Sequence, residues 1–129
     1  MVALYNCMKR LRKPQGFAQI IADAQRLRMP WLFGFFGTKP RSLGRYFKLH
    51  GFPYIQTDSP QMFCKELPNV NAAIICTWCD KRTHGIHFFT VIQSGGKLVA
   101  LNRYNADEPT RFSPNEVRPD RFICGYLLE

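Results

Sequence analysis

Acidic side chains are scarce in this chain, nine Asp and Glu against eighteen Lys and Arg, for a formal net charge of +9. The imbalance favours polyanions or acidic substrates as partners, without specifying nucleic acid. Long apolar runs are also missing. The longest, Trp31 to Phe36, is interrupted by Gly34 and is far too short to span a bilayer, so no membrane insertion is expected. No apolar signal core follows Met1. The five cysteines, Cys7, Cys64, Cys76, Cys79 and Cys124, are odd in number and irregular in spacing, which argues against a secreted disulfide framework. Reduced thiols in a reducing cytoplasm are the expectation. Repeats, low-complexity segments and linkers are absent as well.

What is present is a globular composition. The chain is 46% hydrophobic and 14% aromatic, too apolar to remain disordered. Its 129 residues suit one domain over 1–129, long enough to hold a core without a staple.

Helical spacing dominates the first half. Leu4, Met8 and Leu11 make one face of a helix over Val2 to Lys13, widened by Ala3 and Cys7 and stopped by Pro14. This helix has no capping residue and reads as one whose beginning has been cut off. Phe17, Ile20, Ile21, Ala24 and Leu27 mark a second helix to Arg28. The run Trp31 to Gly37 reads as an aromatic turn. Thr38 is expected to cap a third helix ending at His50, with Gly51 as its C′ residue. A short strand over Phe52 to Thr57 follows, then a helix capped by Asp58 or Ser59 with Pro60 in its first turn.

After Pro68 the period changes to that of strands. Ala72 to Trp78, Ile86 to Gln93, Lys97 to Arg103 and Arg121 to Leu128 are the candidates, with a tight turn at Ser94-Gly95-Gly96 and a helical turn at Ser113 to Glu116. Helices first and an antiparallel sheet second is an α+β arrangement.

Pairing around Gly95 and Gly96 brings His87 opposite the Asn102 region at the open end of a hairpin. A His oriented by an Asn or Asp is one way to build a catalytic imidazole, because the third group holds the tautomer and supports the imidazolium. A His at a strand start can equally be a packed residue. The stretch from Gly85 to Ile92, the Gly-Gly turn and Lys97 to Asn102 resemble the histidine block of the papain-like cysteine peptidases of the C39, bacteriocin-processing type. The resemblance implies a papain-like fold with N-terminal helices packed on a C-terminal antiparallel sheet. It makes His87 the catalytic-type His and Asn102 its orienting residue. Where many members carry Asp at or beside this point, the chain has Asn102 followed by Arg103.

Ala3-Leu4-Tyr5-Asn6 resembles the tail of the same family's nucleophile motif: Cys-Gly-Pro, a small residue, Ala, two variable residues and Asn. In that register Met1 stands at the Pro, and the family's Cys falls two positions before Met1. The family's oxyanion-hole Gln falls further upstream. A nucleophile belongs there because a helix start beside a His favours the thiolate, and free amides of the first turn stabilise an oxyanion. Cys7 lies more than a turn into the helix and reads as a core thiol, as do Cys64 and Cys124. The resemblance thus implies peptide or amide hydrolysis in complete relatives, no hydrolysis by the chain as written, and a peptide as substrate or ligand.

Two other constellations compete. Cys76, Cys79, His84 and His87 are all possible zinc ligands. Their spacing is tighter than a usual finger and Thr77-Trp78 is not a chelating turn, so they read as strand residues, with no metal and no cofactor expected. The basic clusters Lys9 to Lys13 and Lys39 to Arg45, the second beside Tyr46 and Phe47, suit a binding module for nucleic acid or another polyanion. Solvated helix faces are the plainer reading of both. Oligomeric state is not legible.

Overall fold

A computed structural model of the protein describes residues 2–11, 15–29, 38–80, 85–103 and 109–129. The expected aromatic turn over Trp31 to Gly37 and the candidate ligand His84 lie outside the described residues.

The chain opens with helix α1 (Val2–Arg10), followed by α2 (Phe17–Arg26) and α3 (Leu43–Leu49). Strand β1 (Tyr54–Thr57) and helix α4 (Pro60–Glu66) come next. The remainder is β2 (Ala72–Asp80), β3 (Gly85–Ser94), β4 (Lys97–Leu101), β5 (Thr110–Arg111) and β6 (Phe122–Leu128). The strands form one sheet in the order β1-β6-β2-β3-β4-β5, and every pair is antiparallel. The α+β expectation is met.

Local chemistry explains most of the boundaries. Ser59 caps α4 by accepting a bond from the Met62 amide at 3.2 Å, and Pro60 takes the first turn, where no amide is needed. Ser94 pairs with Lys97 across a two-residue turn in which Gly95 and Gly96 both have positive φ, 58° and 77°. That turn matches the twist of the strands, and glycine adopts it without strain. Gly51 follows α3 at φ 69°, as a C′ glycine does.

The expected start of the third helix is corrected. Thr38 does not cap it. Pro40 biases Lys39 toward an extended backbone, residues 39–42 close a turn through the Ser42 amide and the Lys39 carbonyl (3.1 Å), and α3 begins only at Leu43. Strand β5 was not expected. Its two residues show too little periodicity to read, and only pairing with β4 defines them.

The sheet separates two apolar clusters. On one face α1 contributes Ala3, Leu4, Cys7 and Met8 to a core with Ile74, Cys76 and Tyr126, against which Ile86 and Phe88 also pack. On the other, Phe63 of α4 and Leu67 pack with Ile75, Phe89, Val91 and Leu127. α1 is tied to the sheet at both ends. Thr90 Oγ1 donates to the Ala3 carbonyl at 2.8 Å, and an Arg10 guanidinium nitrogen donates to the Gln93 carbonyl at 2.7 Å. Among the described residues no helix is long and apolar enough to cross a membrane.

Candidate functional site

His87 stands near the start of β3, opposite Thr77 of β2. Alternation along β3 decides where its ring goes. Phe88 belongs to the face that carries α1, while Phe89 and Val91 belong to the other. His87 shares the second face, and its ring stacks on Phe89 with centroids 6.2 Å apart and planes 21° from parallel. The imidazole therefore lies across the sheet from α1, not beside the amino end of that helix as the family resemblance implies.

Asn102 does meet His87, through a different atom. His87 Nε2 lies 2.6 Å from the Asn102 main-chain carbonyl oxygen, not from the side-chain amide. Asn102, just after β4, has φ 61°, a left-handed conformation that asparagine tolerates better than most residues. A carbonyl only accepts, so Nε2 must carry the proton. In the neutral ring Nδ1 is then an acceptor, and it has no partner among the described residues.

The ring borders a cavity of about 520 Å³. Phe89, Phe112 and Phe122 supply apolar wall, and Arg103, Arg118 and Arg121 line it against a single lining carboxylate, Glu116. Arg103 is the best anchored of the three. Its Nη1 is 2.8 Å from Glu116 Oε1, and its guanidinium lies over the Phe112 ring at 5.1 Å. Glu116 also accepts from the Ser113 amide at 2.7 Å. The Arg103 hydrogen bond first, and the Ser113 amide after it, hold the Glu116 carboxyl below the usual carboxylate range. Arg121 reaches the Cys79 carbonyl at 3.4 Å, and its own carbonyl accepts from the Trp78 amide at 2.9 Å and from Thr77 Oγ1 at 3.1 Å. The end of β2 is thus pinned from the residue that precedes β6.

The thiols divide sharply. Cys7 is fully buried, and burial pushes it up to about 12, which suits a core residue and not a nucleophile. Cys76 is buried on the α1 face, where a hydrogen bond with Cys124 and then burial push its thiol up. Cys76 and His87 therefore point to opposite faces and cannot share one metal ion. Cys64 is half-buried, with Sγ 3.4 Å from the Pro114 carbonyl. Cys79 alone is exposed, and it lines the same cavity as His87.

The second basic cluster loses its aromatics. Tyr46 and Phe47 are fully buried in the α1-face core, where they cannot stack on bases. Tyr46 instead donates to Gln15 Oε1 at 2.8 Å, beginning a polar chain that the sequence did not reveal. Gln15 Nε2 is 3.0 Å from His50 Nδ1, and His50 Nε2 is 3.0 Å from Asp23 Oδ2. Gln19 covers the other Asp23 oxygen at 3.0 Å. This chain ties α2 to α3, and both His50 nitrogens are occupied.

Sequence reasoning also missed the C-terminal half of the cavity: Arg103, Glu116, Arg118 and Arg121. The only available signal was the capping pattern Ser113 to Glu116 with arginines on both sides, which reads as an ordinary turn.

No family model matches this chain. No curated protein has a sequence similar to it either.

Proposed function

We propose that this chain is an α+β domain, similar to the C39-type cysteine peptidases in its succession of elements alone, and that it binds a peptide at the His87 cavity without cutting it. The observation that carries this reading is the 2.6 Å bond from His87 Nε2 to the Asn102 carbonyl at the hairpin mouth. It supports an imidazole held in one orientation at the edge of a cleft. The order of elements is a second support: helices first, with the Ala3 to Asn6 segment inside α1 and α1 packed on β2 and β3.

Binding without hydrolysis follows from the two faces. A general base must come within about 3 Å of the proton that it removes. A nucleophile at the start of α1 and an imidazole on the opposite face of the sheet do not meet that condition. The cavity suits a short acidic peptide with an aromatic residue, since its apolar wall is phenylalanine and its charge is mostly guanidinium.

The test uses the whole chain, isotope-labelled for NMR, and a set of hexapeptides that carry Asp or Glu beside Phe or Tyr. Amide shifts clustered at His87, Phe89, Phe112 and Arg121 are expected, with no cleavage of fluorogenic peptides above blank. Cleavage that disappears in His87→Ala would replace the binding reading with a peptidase one. Shifts absent at millimolar peptide would defeat both.

A polyanion reading has one observation in its favour, three arginines against one glutamate around aromatic walls. Single-stranded oligonucleotide titration at several salt concentrations separates it from peptide binding. Real phosphate contacts give a steep salt slope, and no binding at low salt ends that reading.

A further inference from the structure

β3 outruns its neighbour on one side. It spans Gly85 to Ser94, but β4 pairs only with Thr90 to Ser94. On the β2 side it is paired from Ile92, opposite Ala72, to Gly85, opposite Asp80, with one bulge at Cys79. Among the described residues, no strand lies against Gly85 to Phe89 on the β4 side. The extended run of β4 stops at Leu101, and Asn102 follows it with a left-handed backbone.

Hydrogen-bond parity fixes what this open edge offers. Ser94 and Lys97 flank a two-residue turn and form a hydrogen-bonded pair, and such pairs recur at every second residue. Thr90, Ile92 and Ser94 therefore aim their main-chain groups at β4. The Gln93 amide, of the other parity, donates to the Asn71 carbonyl on the β2 side at 3.3 Å. Ile86 and Phe88 continue the first series past the end of β4. Among the described residues, nothing pairs with their main chain on this side. Gly85 to Phe88 are all partly exposed, so the edge is open to a ligand. A free strand edge is a template for another extended chain. His87 lies between these two residues and lines the arginine-bearing cavity.

From this placement we infer how the proposed peptide site, on which the inference rests, holds its ligand. An acidic peptide adds to the sheet as an extended strand antiparallel to β3, in the row that β4 leaves, and bonds the main chain of Ile86 and Phe88. Three arginines against one glutamate around the cavity select an acidic occupant over a second copy of this basic chain. The peptide residue opposite His87 shares the His87 face, and its two neighbours point to the α1 face. Residues two apart therefore reach the cavity together. The ligand is read as an acidic residue, any residue and an aromatic one, the carboxylate meeting guanidinium and the ring meeting the phenylalanine wall.

The test is calorimetric titration of the whole chain with acetylated, amidated Thr-Val-Glu-Val-Phe-Thr and two N-methylated forms of it. With Glu opposite His87, the amide of the following Val faces β3 and the Glu amide faces away. N-methylation of that Val should weaken binding about tenfold, and N-methylation of Glu should change it less than about twofold. Thr-Val-Val-Glu-Phe-Thr puts the acid and the ring on opposite faces and should bind several-fold more weakly. The Ile86 and Phe88 amides should exchange more slowly with the first peptide bound. Equal sensitivity at the two methylated positions, or the reverse order, would overturn strand addition while leaving peptide binding in place. No binding of the unmodified peptide at millimolar concentration would overturn both.

Discussion

The two faces of the sheet treat the same residue type in opposite ways. On the α1 side, His50 has both ring nitrogens occupied, by Gln15 and Asp23, and it sits between aromatic rings of Tyr46 and Phe52. On the other side, His87 has one nitrogen bonded to a carbonyl, and the residue lines a cavity. The contrast comes from coverage. Three helices close over the first face, and a polar group buried there must find a partner because leaving it bare costs more than the bond returns. Among the described residues, α4 and the 109–121 segment cover the second, beside the arginine-lined cavity. The two histidines thus split into a structural residue and a candidate functional one.

The largest test of this contrast lies where the second face is well packed. Phe63 is fully buried against β6, and a Cβ added at Gly125 would overlap its ring. Phe63→Ala should cost about 3–5 kcal/mol in denaturant unfolding. A loss under about 1 kcal/mol would show that α4 is not part of the cooperative core.

Next in size is the closed polar chain. Asp23→Ala leaves His50 and Gln19 without their shared carboxylate, in a site where Asp23 is 6% exposed. We expect a loss of about 2 kcal/mol. His87→Ala should cost about 1 kcal/mol or less, because it removes one bond at a part-open site, while abolishing peptide-induced shifts. If His87→Ala proves the more destabilising of the two, the assignment of roles to the two faces is reversed.

The smallest expected effect is acid loss at Glu116. Its folded pKa lies below the unfolded value of about 4.3, so its contribution is complete above that pH. The contribution is lost as pH falls through the lower, folded value. Because Glu116 is well exposed, the effect should be a fraction of a kcal/mol. Urea midpoints at pH 6 and pH 3 for wild type and Glu116→Gln measure it: the variant should lose less stability on acidification. Equal losses would mean that the Arg103 bond is not maintained in solution.

Much of the fold was legible because it rests on local rules. The stripe Leu4, Met8, the Ser59-Pro60 cap, the Gly95-Gly96 turn and the apolar strands after Pro68 all act over a few residues, and each element formed close to where its pattern lies. Thr38 failed as a cap because Pro40 and a turn intervened. β5 escaped notice because two residues carry no period. The nearness of His87 and Asn102 was also readable from the tight turn, although Thr90 pairs with Leu101 and the two residues meet on a diagonal. The atoms that meet were not: φ at Asn102 turned the carbonyl, and not the amide, toward the ring.

The amino-acid order alone determined the helices-then-sheet succession, the basic charge and the hairpin that brings positions 87 and 102 together, because each depends on spacing, composition or a tight turn. Which side of the sheet the imidazole takes, which thiol keeps it company and which arginines surround them were decided only by tertiary structure. The reason is physical: a strand offers its side chains to both faces by turns, and only the packing of α1 and α4 and the bulge at Cys79 give each face its identity.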